Sequence, residues 1–383
     1  MFLSGKHVLL ISPEPWGENF VSKHHYAITL AEQGNTVYFL NPPSSFYEVQ
    51  SIQYNNLHII NYPPFLKGLR YLPDALQRKA IRQRYEKLQQ LTQCIFDIVW
   101  SFDNSVFYDF SALPESVLKI SHIVDLNQSF QTAKATTTAD ICFCTTDYIR
   151  QKLRMYNANV FKIHHGYSQP DSSNQQKTAL PGNNSVKAVY VGNLTLKYID
   201  WKLLQTVIGQ HHNIDFVFIG PEGNSNLTKS RQTKLVSGRV KSYSNAYFIG
   251  SVPSSKISAF LQGADILLIT YQADLYTEQL ASPHKFMCYF GSGRVTVATY
   301  TDEYKDKRTL LAMSERNEEY PALFTEIVNN LDEWNCQAKQ EERKRFAINN
   351  AYGRQVVKID QIIDEKIVES KDRNGEAQKL YNM

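Results

Sequence analysis

One segment of the chain combines a helix start, a lysine and a glycine turn in a way that suits phosphate binding. Residues 282–293 read SPHKFMCYFGSG and lead into a short β-branched run at 295–298. Ser282 can cap a helix and Pro283 can begin it, which leaves backbone N–H groups free at the helix start. Together with Lys285, such a start can hold a diphosphate. The alternative interpretation is an ordinary helix-to-strand connection with one surface lysine.

The common cofactor and catalytic signatures do not occur in the sequence. No Gly-x-Gly-x-x-Gly follows a predicted strand and no Gly-x-x-x-x-Gly-Lys-Ser/Thr is present, which argues against dinucleotide binding and P-loop chemistry. Neither Gly-x-Ser-x-Gly nor His-Glu-x-x-His is present, which argues against the commonest hydrolases and zinc peptidases.

Composition excludes further classes of function. The chain has 41 basic and 37 acidic residues, and this net charge of +4 is too weak for a nucleic-acid-binding face. Its five cysteines lack the paired spacing of a zinc site, so we interpret them as reduced thiols. Neither an apolar run of about 18 residues nor a signal-peptide pattern is found, so the sequence predicts a cytoplasmic protein without a membrane span.

A local basic stretch stands out from this weak overall charge. Arg78, Lys79, Arg82 and Arg84 crowd together in a predicted helix, close to aromatic residues and leucines. Each basic residue that faces anionic lipid contributes about 1 kcal/mol to membrane binding. The stretch therefore predicts a surface for the membrane or acceptor, with peripheral attachment to the inner face of the cell membrane. An exposed, solvated helix is the alternative.

Strands and helices must position these residues, and they alternate over the first 168 residues. A run at 7–11 ends at two prolines, a helix is predicted at 22–33, and 36–40 resumes as strand. A strand–helix–strand unit of this length makes its two strands parallel. Further predicted strands lie at 57–61, 97–102, 117–124 and 141–145, with a long helix at 73–94. The alternation predicts an α/β fold with a doubly wound parallel sheet.

A second alternation begins after a polar stretch at 169–185, which we predict to be a linker. Residues 186–350 predict a second parallel α/β domain of similar size. A helix at about 351–366 is long enough to return to the first domain, and 367–383 is predicted to be a charged tail. The cleft between two such domains would bind ligands at the carboxyl ends of the strands.

These segments resemble a known family. The stretch SPHKFMCYFGSGRVTVAT resembles the donor-binding motif of GT-B glycosyltransferases, in particular the retaining glycogen-synthase-like (group 1, family 4-like) enzymes, in which Pro-x-Lys-x-x-Glu-Tyr begins a helix. ENFVSKHHYAITLAEQGNTVYFLNPP resembles the first helix and second strand of that family, KIHHGY its strand before the linker, and AVYVGNLTLKYIDWKLL the opening of its nucleotide-binding domain. FIGSVPSSKISAFLQGADILLITY and NNAYGRQVVKIDQII resemble its later strands and its returning helix. The resemblance implies two doubly wound Rossmann-like domains, the GT-B fold.

The resemblance also implies a donor site in the second domain. Pro283 and Lys285 match the motif, and Lys285 would neutralise charge on the donor phosphates. The family glutamate that hydrogen-bonds the nucleotide ribose falls on Cys288, and a thiol is a weak substitute for a carboxylate. Either Glu278 takes over that contact or the donor's affinity or identity differs. Ser282 would cap the same helix.

The opening of the second domain supplies the other donor residues. Gly192 matches the glycine of the family's strand-to-helix turn. Asn193 stands where an arginine is common, and the basic pair that usually follows is represented only by Lys197. No metal is expected, because helix starts and lysines would hold the diphosphate.

The resemblance places the catalytic centre in the first domain. His122 ends a strand where these families have a histidine near the donor sugar and acceptor, with Asp125 just beyond it. A histidine satisfied by a neighbouring backbone carbonyl is the alternative. If the enzyme retains configuration, His122 assists without acting as a nucleophile; if it inverts, a base is required, and His25, Asp103 and Asp125 are candidates. His25 and Asp103 also fit plain helix-capping roles.

The function implied is that of a hexosyltransferase-type enzyme of polysaccharide biosynthesis. It would transfer a sugar from a nucleotide diphosphate sugar, such as a UDP- or GDP-sugar, to a cell-surface polysaccharide or lipid-linked glycan. The expected partners are donor, acceptor and an anionic membrane surface, without nucleic acid, cofactor or metal. Two alternatives stay open: a nucleotide-sugar 2-epimerase of the same fold, and a non-catalytic nucleotide- or carbohydrate-binding protein.

Overall fold

A computed structural model describes residues 2–17, 20–126, 131–170, 177–222, 238–276 and 282–381, with side chains as far as Val368. The chain forms two compact units of contacts. Unit 1 consists of Met1–His164 with Tyr352–Met383, and unit 2 of His165–Ala351. The segment 169–185, predicted as a linker, falls within unit 2.

Unit 1 contains an eight-stranded sheet in the order β3-β4-β2-β1-β5-β6-β7-β8. All neighbouring strands pair in parallel except β3 and β4, which are antiparallel. The strands are β1 His7–Ile11, β2 Thr36–Leu40, β3 Glu48–Ser51, β4 Leu57–Asn61, β5 Ile98–Ser101, β6 Leu118–Ile123, β7 Ile141–Cys144 and β8 Val160–Lys162.

Helices cover both faces of this sheet, so its central strands are apolar on both sides. In β1, Val8 and Leu10 join one core while Leu9 and Ile11 join the other. The helices along the first part of the chain are α1 Ser22–Glu32, α2 Asp74–Thr92, α3 Thr132–Thr138 and α4 Asp147–Arg154. Unit 1 is therefore the doubly wound domain that the sequence predicts.

Unit 2 repeats this architecture with a six-stranded, wholly parallel sheet in the order β11-β10-β9-β12-β13-β14. Its strands are β9 Val186–Val191, β10 Ile214–Ile219, β11 Ala246–Gly250, β12 Ile266–Ile269, β13 Val295–Ala298 and β14 Ala312–Met313. Its helices are α5 Trp201–Gln210, α6 Ser254–Gly263, α7 Lys285–Ser292, α8 Tyr320–Asn329, α9 Leu331–Trp334 and α10 Gln337–Asn349.

The last helix, α11 Tyr352–Tyr381, returns to unit 1. Val356, Ile359 and Ile363 lie in one of the two cores of unit 1. A hydrogen bond from Leu3 N–H to Asp360 Oδ1, 2.6 Å long, joins the two ends of the chain. The helix continues to Tyr381, within the segment predicted as a charged tail.

Within the described part, no helix has the length and apolarity needed to cross a membrane. The same ranges contain no group of three or more histidine, cysteine or acidic residues suited to hold a metal ion. All five cysteines are free thiols.

Candidate functional site

Each sheet has one place where the strand order reverses. In unit 1 this place lies between β1 and β5, and in unit 2 between β9 and β12. Ligands of open parallel sheets bind outside the carboxyl ends of the strands at this reversal. The residues at the carboxyl ends of these strands and of the strands beside them are therefore the candidate site residues of each unit.

Two glycines form a bare backbone floor in unit 2. Gly192 follows β9 and Gly220 follows β10, with φ of +145° and +150°. A Cβ atom on Gly220 would overlap the Gly192 carbonyl oxygen, and one on Gly192 would lie 2.7 Å from Lys285 Nζ. Glycine is required here because it has no side chain, and the floor stays open to the close approach of a ligand.

Lys285 stands over this floor as the first residue of α7. Its Nζ lies 4.0 Å from the ring centre of Tyr190 and 5.2 Å from that of Tyr271, and the residue is only 8% exposed. No hydrogen-bond acceptor pairs with this ammonium among the residues described. Aromatic faces attract a cation but do not neutralise its charge. The site therefore favours an anionic ligand.

Hydrogen bonds fix α7 on the sheet that presents the floor. Val191 N–H donates to the Tyr289 hydroxyl at 2.9 Å, and that hydroxyl donates to the Leu268 carbonyl at 3.4 Å. One side chain of α7 thus bridges β9 and β12, the two strands at the reversal. Burial raises the pKa of Tyr289 far above its ordinary value. The hydroxyl therefore stays protonated and can donate its hydrogen bond to the Leu268 carbonyl.

The segment before α7 is anchored from the start of unit 2. His165 is buried and its Nε2–H donates to the Ser282 carbonyl at 2.9 Å. Pro283 follows, and its carbonyl accepts from Phe286 N–H at 3.2 Å, closing the first turn of the helix. Ser282 and Pro283 therefore lie just before the helix that carries Lys285. The helix begins at Lys285, with His284 at the N-cap position and no side-chain capping hydrogen bond, so the predicted cap at Ser282 and the predicted start at Pro283 are wrong.

Two other predicted donor residues are Cys288, on α7, and Glu278, which precedes α7 in the sequence. Cys288 lies one turn after Lys285 on α7 and is an exposed residue. Glu278, the proposed replacement for the family glutamate, lies outside the described residues.

Asn193 and Lys197 lie on the connection between β9 and α5. The Asn193 side-chain oxygen accepts from Thr195 N–H at 2.9 Å and from the Thr195 hydroxyl at 2.7 Å, so it closes its own turn. Lys197 is exposed, and its Nζ lies 5.4 Å and 5.1 Å from the ring centres of Tyr198 and Tyr276.

Unit 1 has a pocket of about 70 Å³ at its own reversal. The residues that follow β1, β5 and β6 line it, together with one residue of α1 and one of α3. The lining residues are Pro13, Glu14, Lys23, Phe102, Asn104, Ile123, Val124, Asp125 and Thr132.

A partly buried ion pair forms part of the pocket lining. Lys23, in the first turn of α1, is 8% exposed, and its Nζ lies 2.7 Å from Glu14 Oε2. Ser12 holds Glu14 in place, because the Ser12 hydroxyl donates to the Glu14 carbonyl at 2.6 Å and accepts from Glu14 N–H at 3.1 Å. Neither residue of the ion pair was singled out in the sequence. Glu14 lies three residues after the end of β1, which places it at the correct edge of the sheet, but no local pattern pairs it with Lys23.

Asp125 and Asp103, the two carboxylates predicted as candidate bases, differ in their exposure to solvent. Asp125 is exposed and lines the pocket. Asp103 is buried between the lining residues Phe102 and Asn104, and its Oδ1 accepts from Ser105 N–H at 2.8 Å and the Ser105 hydroxyl at 2.6 Å. Burial raises the pKa of Asp103, while the hydrogen bonds from Ser105 lower it.

His122 lies inside the aromatic core of unit 1 and does not belong to the described pocket lining. It is 2% exposed, its ring stacks on Phe102 with centres 4.6 Å apart, and its Nδ1 accepts from Trp100 Nε1–H at 3.4 Å. This ring thus supports the wall that carries Phe102 rather than facing the pocket.

The two histidines of α1 also have packing roles. His24 Nδ1 accepts from Val21 N–H at 3.1 Å, and its Nε2–H donates to the Pro15 carbonyl at 3.0 Å, a pattern only the neutral ring can make. Burial lowers the His24 pKa, in agreement with that form. His25 is half-buried and stacks on Tyr352 with ring centres 4.9 Å apart.

The four basic residues of α2 fall into two pairs. Arg78 and Lys79 are exposed. Arg82 Nε–H donates to the Ala112 carbonyl at 3.0 Å, and Arg84 donates to the carbonyls of Pro63 and Pro64. The Arg84 guanidinium also lies against three aromatic rings, 4.9–5.5 Å from their centres. Arg82 and Arg84 therefore contribute to the packing of unit 1.

Solved structures resemble the whole chain, although no protein-family model and no curated protein sequence matches it. A sucrose-phosphate synthase from Thermosynechococcus elongatus aligns with a TM-score of 0.71 at 11% identity, covering 95% of this chain and all of that one. An E. coli trehalose-6-phosphate protein bound with UDP-2-fluoro glucose aligns at 0.67 and 10% identity, covering 93% and 98%. A glycosyltransferase from Rickettsia africae aligns at 0.66 and 11% identity, covering 94% and 98%. These likenesses extend over both units, and the chain has the GT-B fold.

Proposed function

We propose that the protein is a glycosyltransferase that moves a sugar from a nucleotide diphosphate sugar to an acceptor hydroxyl. The observation that carries this proposal is the buried Lys285 ammonium, which faces a bare glycine floor at the strand reversal of unit 2. Burying a cation without an anion is costly. A diphosphate laid on Gly192 and Gly220 would offset that cost.

The proposed role of Lys285 follows from where charge develops in the reaction. The bond between the anomeric carbon and the donor phosphate breaks, and the nucleoside diphosphate leaves with the electron pair. A new bond joins the anomeric carbon to the acceptor oxygen, whose proton is released. A lysine fixed beside the leaving diphosphate stabilises this negative charge without rearranging during the reaction. In this proposal the chain needs no metal.

Two neighbours support a nucleotide-sugar donor. The E. coli protein was solved with UDP-2-fluoro glucose, and the Rickettsia africae protein is a glycosyltransferase. We propose a UDP- or GDP-sugar as donor and the pocket of unit 1 as the acceptor site. A cell-surface polysaccharide or a lipid-linked glycan remains our proposed acceptor, and a cytoplasmic location remains a prediction.

Thermal denaturation tests the donor site directly. A nucleoside diphosphate that binds only the native state raises stability by about 2.7 kcal/mol at 100 times its dissociation constant. Lys285→Met removes the charge and keeps an unbranched chain. We expect this variant to melt at or above the wild-type temperature without nucleotide, yet to lose most of the rise caused by UDP or GDP.

Lys202→Met is the matched control, because Lys202 is exposed on α5. It should keep the full nucleotide-dependent rise. Equal rises in both variants would contradict the assignment of Lys285.

Release of nucleoside diphosphate from a panel of nucleotide sugars separates the glycosyltransferase from the two alternative functions. An epimerised donor in the absence of acceptor would identify an epimerase, and binding without turnover a binding protein.

A second proposal concerns the surface around the start of α2. Arg78 and Lys79 are exposed there, beside Leu66, Tyr71 and Leu76, whose side chains are 70%, 76% and 50% exposed. Apolar side chains that insert and basic ones that meet headgroups suit an anionic membrane. We propose that this basic surface attaches the protein peripherally to anionic lipid.

A further inference from the structure

The pocket of unit 1 offers hydrogen-bond acceptors beside an apolar wall. Phe102, Ile123 and Val124 supply the wall, and an aromatic ring suits the C–H face of a sugar. Glu14 and Asp125 bring carboxylates, which accept hydrogen bonds from hydroxyl groups. This combination of surfaces matches a neutral, hydroxyl-bearing ligand.

The ammonium in the described lining is already neutralised. Lys23 Nζ lies 2.7 Å from Glu14 Oε2, and the Lys23 side chain is 10% exposed while that of Glu14 is 46% exposed. A phosphate monoester entering the pocket would compete with the Glu14 carboxylate for Lys23. Like charges in a partly desolvated pocket repel strongly, so the pocket disfavours an anionic acceptor.

We propose that unit 1 selects an unphosphorylated, hydroxyl-bearing acceptor over its phosphate monoester, and that Glu14 determines this specificity by neutralising Lys23. The inference rests on the proposed glycosyltransferase function and names the acceptor class for it. The name of the sucrose-phosphate synthase neighbour denotes a phosphorylated product. On this inference the present chain and that neighbour differ in their acceptors.

Matched acceptors test the inference on the intact chain. The donor is the nucleotide sugar hydrolysed fastest in the panel. Transfer is measured as kcat/KM for glucose, fructose and mannose, and for the 6-phosphate of each. We expect the free sugars to be used at least tenfold better. A preference for the 6-phosphates, or equal use of both classes, would overturn the inference.

Substitution of Glu14 tests the cause of the selectivity. Glu14→Gln keeps the size of the side chain, removes its charge and releases Lys23. The ratio of kcat/KM for 6-phosphate over free sugar should rise at least tenfold. Glu115→Gln, exposed in the connection before β6, is the control and should leave the ratio unchanged. If Glu14→Gln lowers kcat/KM for the free sugar and for the 6-phosphate by the same factor, the role of Glu14 is structural and the inference fails.

The two proposals fail in different ways. If no nucleotide raises the melting temperature and no donor is hydrolysed, the glycosyltransferase proposal itself falls. If the donor binds and reacts but the 6-phosphates are preferred, only the acceptor inference falls.

Discussion

At the scale of single residues, the proposed donor site depends on Lys285, whose ammonium lies against the faces of two aromatic rings. Tyr190 and Tyr271 lie under Lys285 Nζ, and burial raises the Tyr190 pKa well above its ordinary value. Tyr190 is therefore uncharged and does not neutralise the positive charge of Lys285. Among the described residues no acceptor pairs with the Lys285 ammonium, so no partner offsets its positive charge before a phosphate binds.

Gly220 gives the clearest test of the floor. Gly220→Ala introduces strain at φ +150° and a clash with the Gly192 carbonyl. Such backbone strain costs about 1–3 kcal/mol, so we expect a lower melting temperature and loss of the nucleotide-dependent rise. Gly353→Ala is the control, because it lies in α11 with no atom near the added Cβ. This variant should gain up to about 1 kcal/mol. Equal melting temperatures for the two variants would contradict the floor geometry.

The sequence could predict Lys285 but not Glu14, and the reason lies in the kind of signal each leaves. Lys285 sits in a local pattern of serine, proline and glycine that defines a helix and its ends. Glu14 acquires its role from Lys23, which reaches it across a loop. His122 shows the converse case. Its position at a strand end suggested catalysis, but the face on which its side chain lies is packed with aromatic rings.

At the scale of elements, α7 is held at both ends. His165 anchors the segment before it, and Arg343 of α10 holds its end. Arg343 is wholly buried, and its guanidinium donates to the carbonyls of Gly293 at 3.0 Å and Leu310 at 2.9 Å. Burial lowers the Arg343 pKa to about 10, which still leaves the group charged at neutral pH. A cation at a helix C-terminus is favoured by the helix dipole.

The proposed membrane surface on helix α2 can be tested by substituting its two exposed basic residues. Neutralising Arg78 and Lys79 together to glutamine should weaken binding to vesicles of mixed phosphatidylcholine and phosphatidylserine. At about 1 kcal/mol for each basic residue, the loss is roughly 30-fold. Flotation of the protein with these vesicles measures the effect.

Arg82 and Arg84 are unsuitable for this test, because their contacts hold the fold of unit 1. The matched control is the double variant Lys202→Gln with Lys256→Gln, two exposed lysines of unit 2. Flotation that falls equally in both double variants, or in neither, would argue against a defined membrane surface.

At the scale of the whole molecule, the C-terminal helix completes a domain that begins at the N-terminus. Ile359 of α11 is fully buried in unit 1, while Val357 of the same helix is 40% exposed. Ile359→Ala should lower the free energy of unfolding of unit 1 by about 2–5 kcal/mol. Val357→Ala should change it by less than about 0.5 kcal/mol. Urea unfolding followed by tryptophan fluorescence compares them, and similar losses would contradict the packing of α11.

The sequence by itself determined the architecture. Runs of β-branched residues and amphipathic helices repeat at short range, so most strands and helices lie within two residues of their predicted bounds. Local chemistry also placed Lys285 at a helix start, although the helix begins two residues after Pro283 and Ser282 does not cap it. The edge strands β3 and β14 were not predicted, because a short strand at the border of a sheet carries little apolar signal.

Only the tertiary structure decided which of these residues meet. The pocket of unit 1 joins residues from Pro13 to Thr132, and the floor of unit 2 joins Gly192 to Gly220 and Lys285. These groupings depend on the order of strands in each sheet, which places β1 beside β5 and β9 beside β12. Strand order follows from packing over the whole domain. The pairing of Glu14 with Lys23 and the burial of His122 therefore could not be derived from any local pattern.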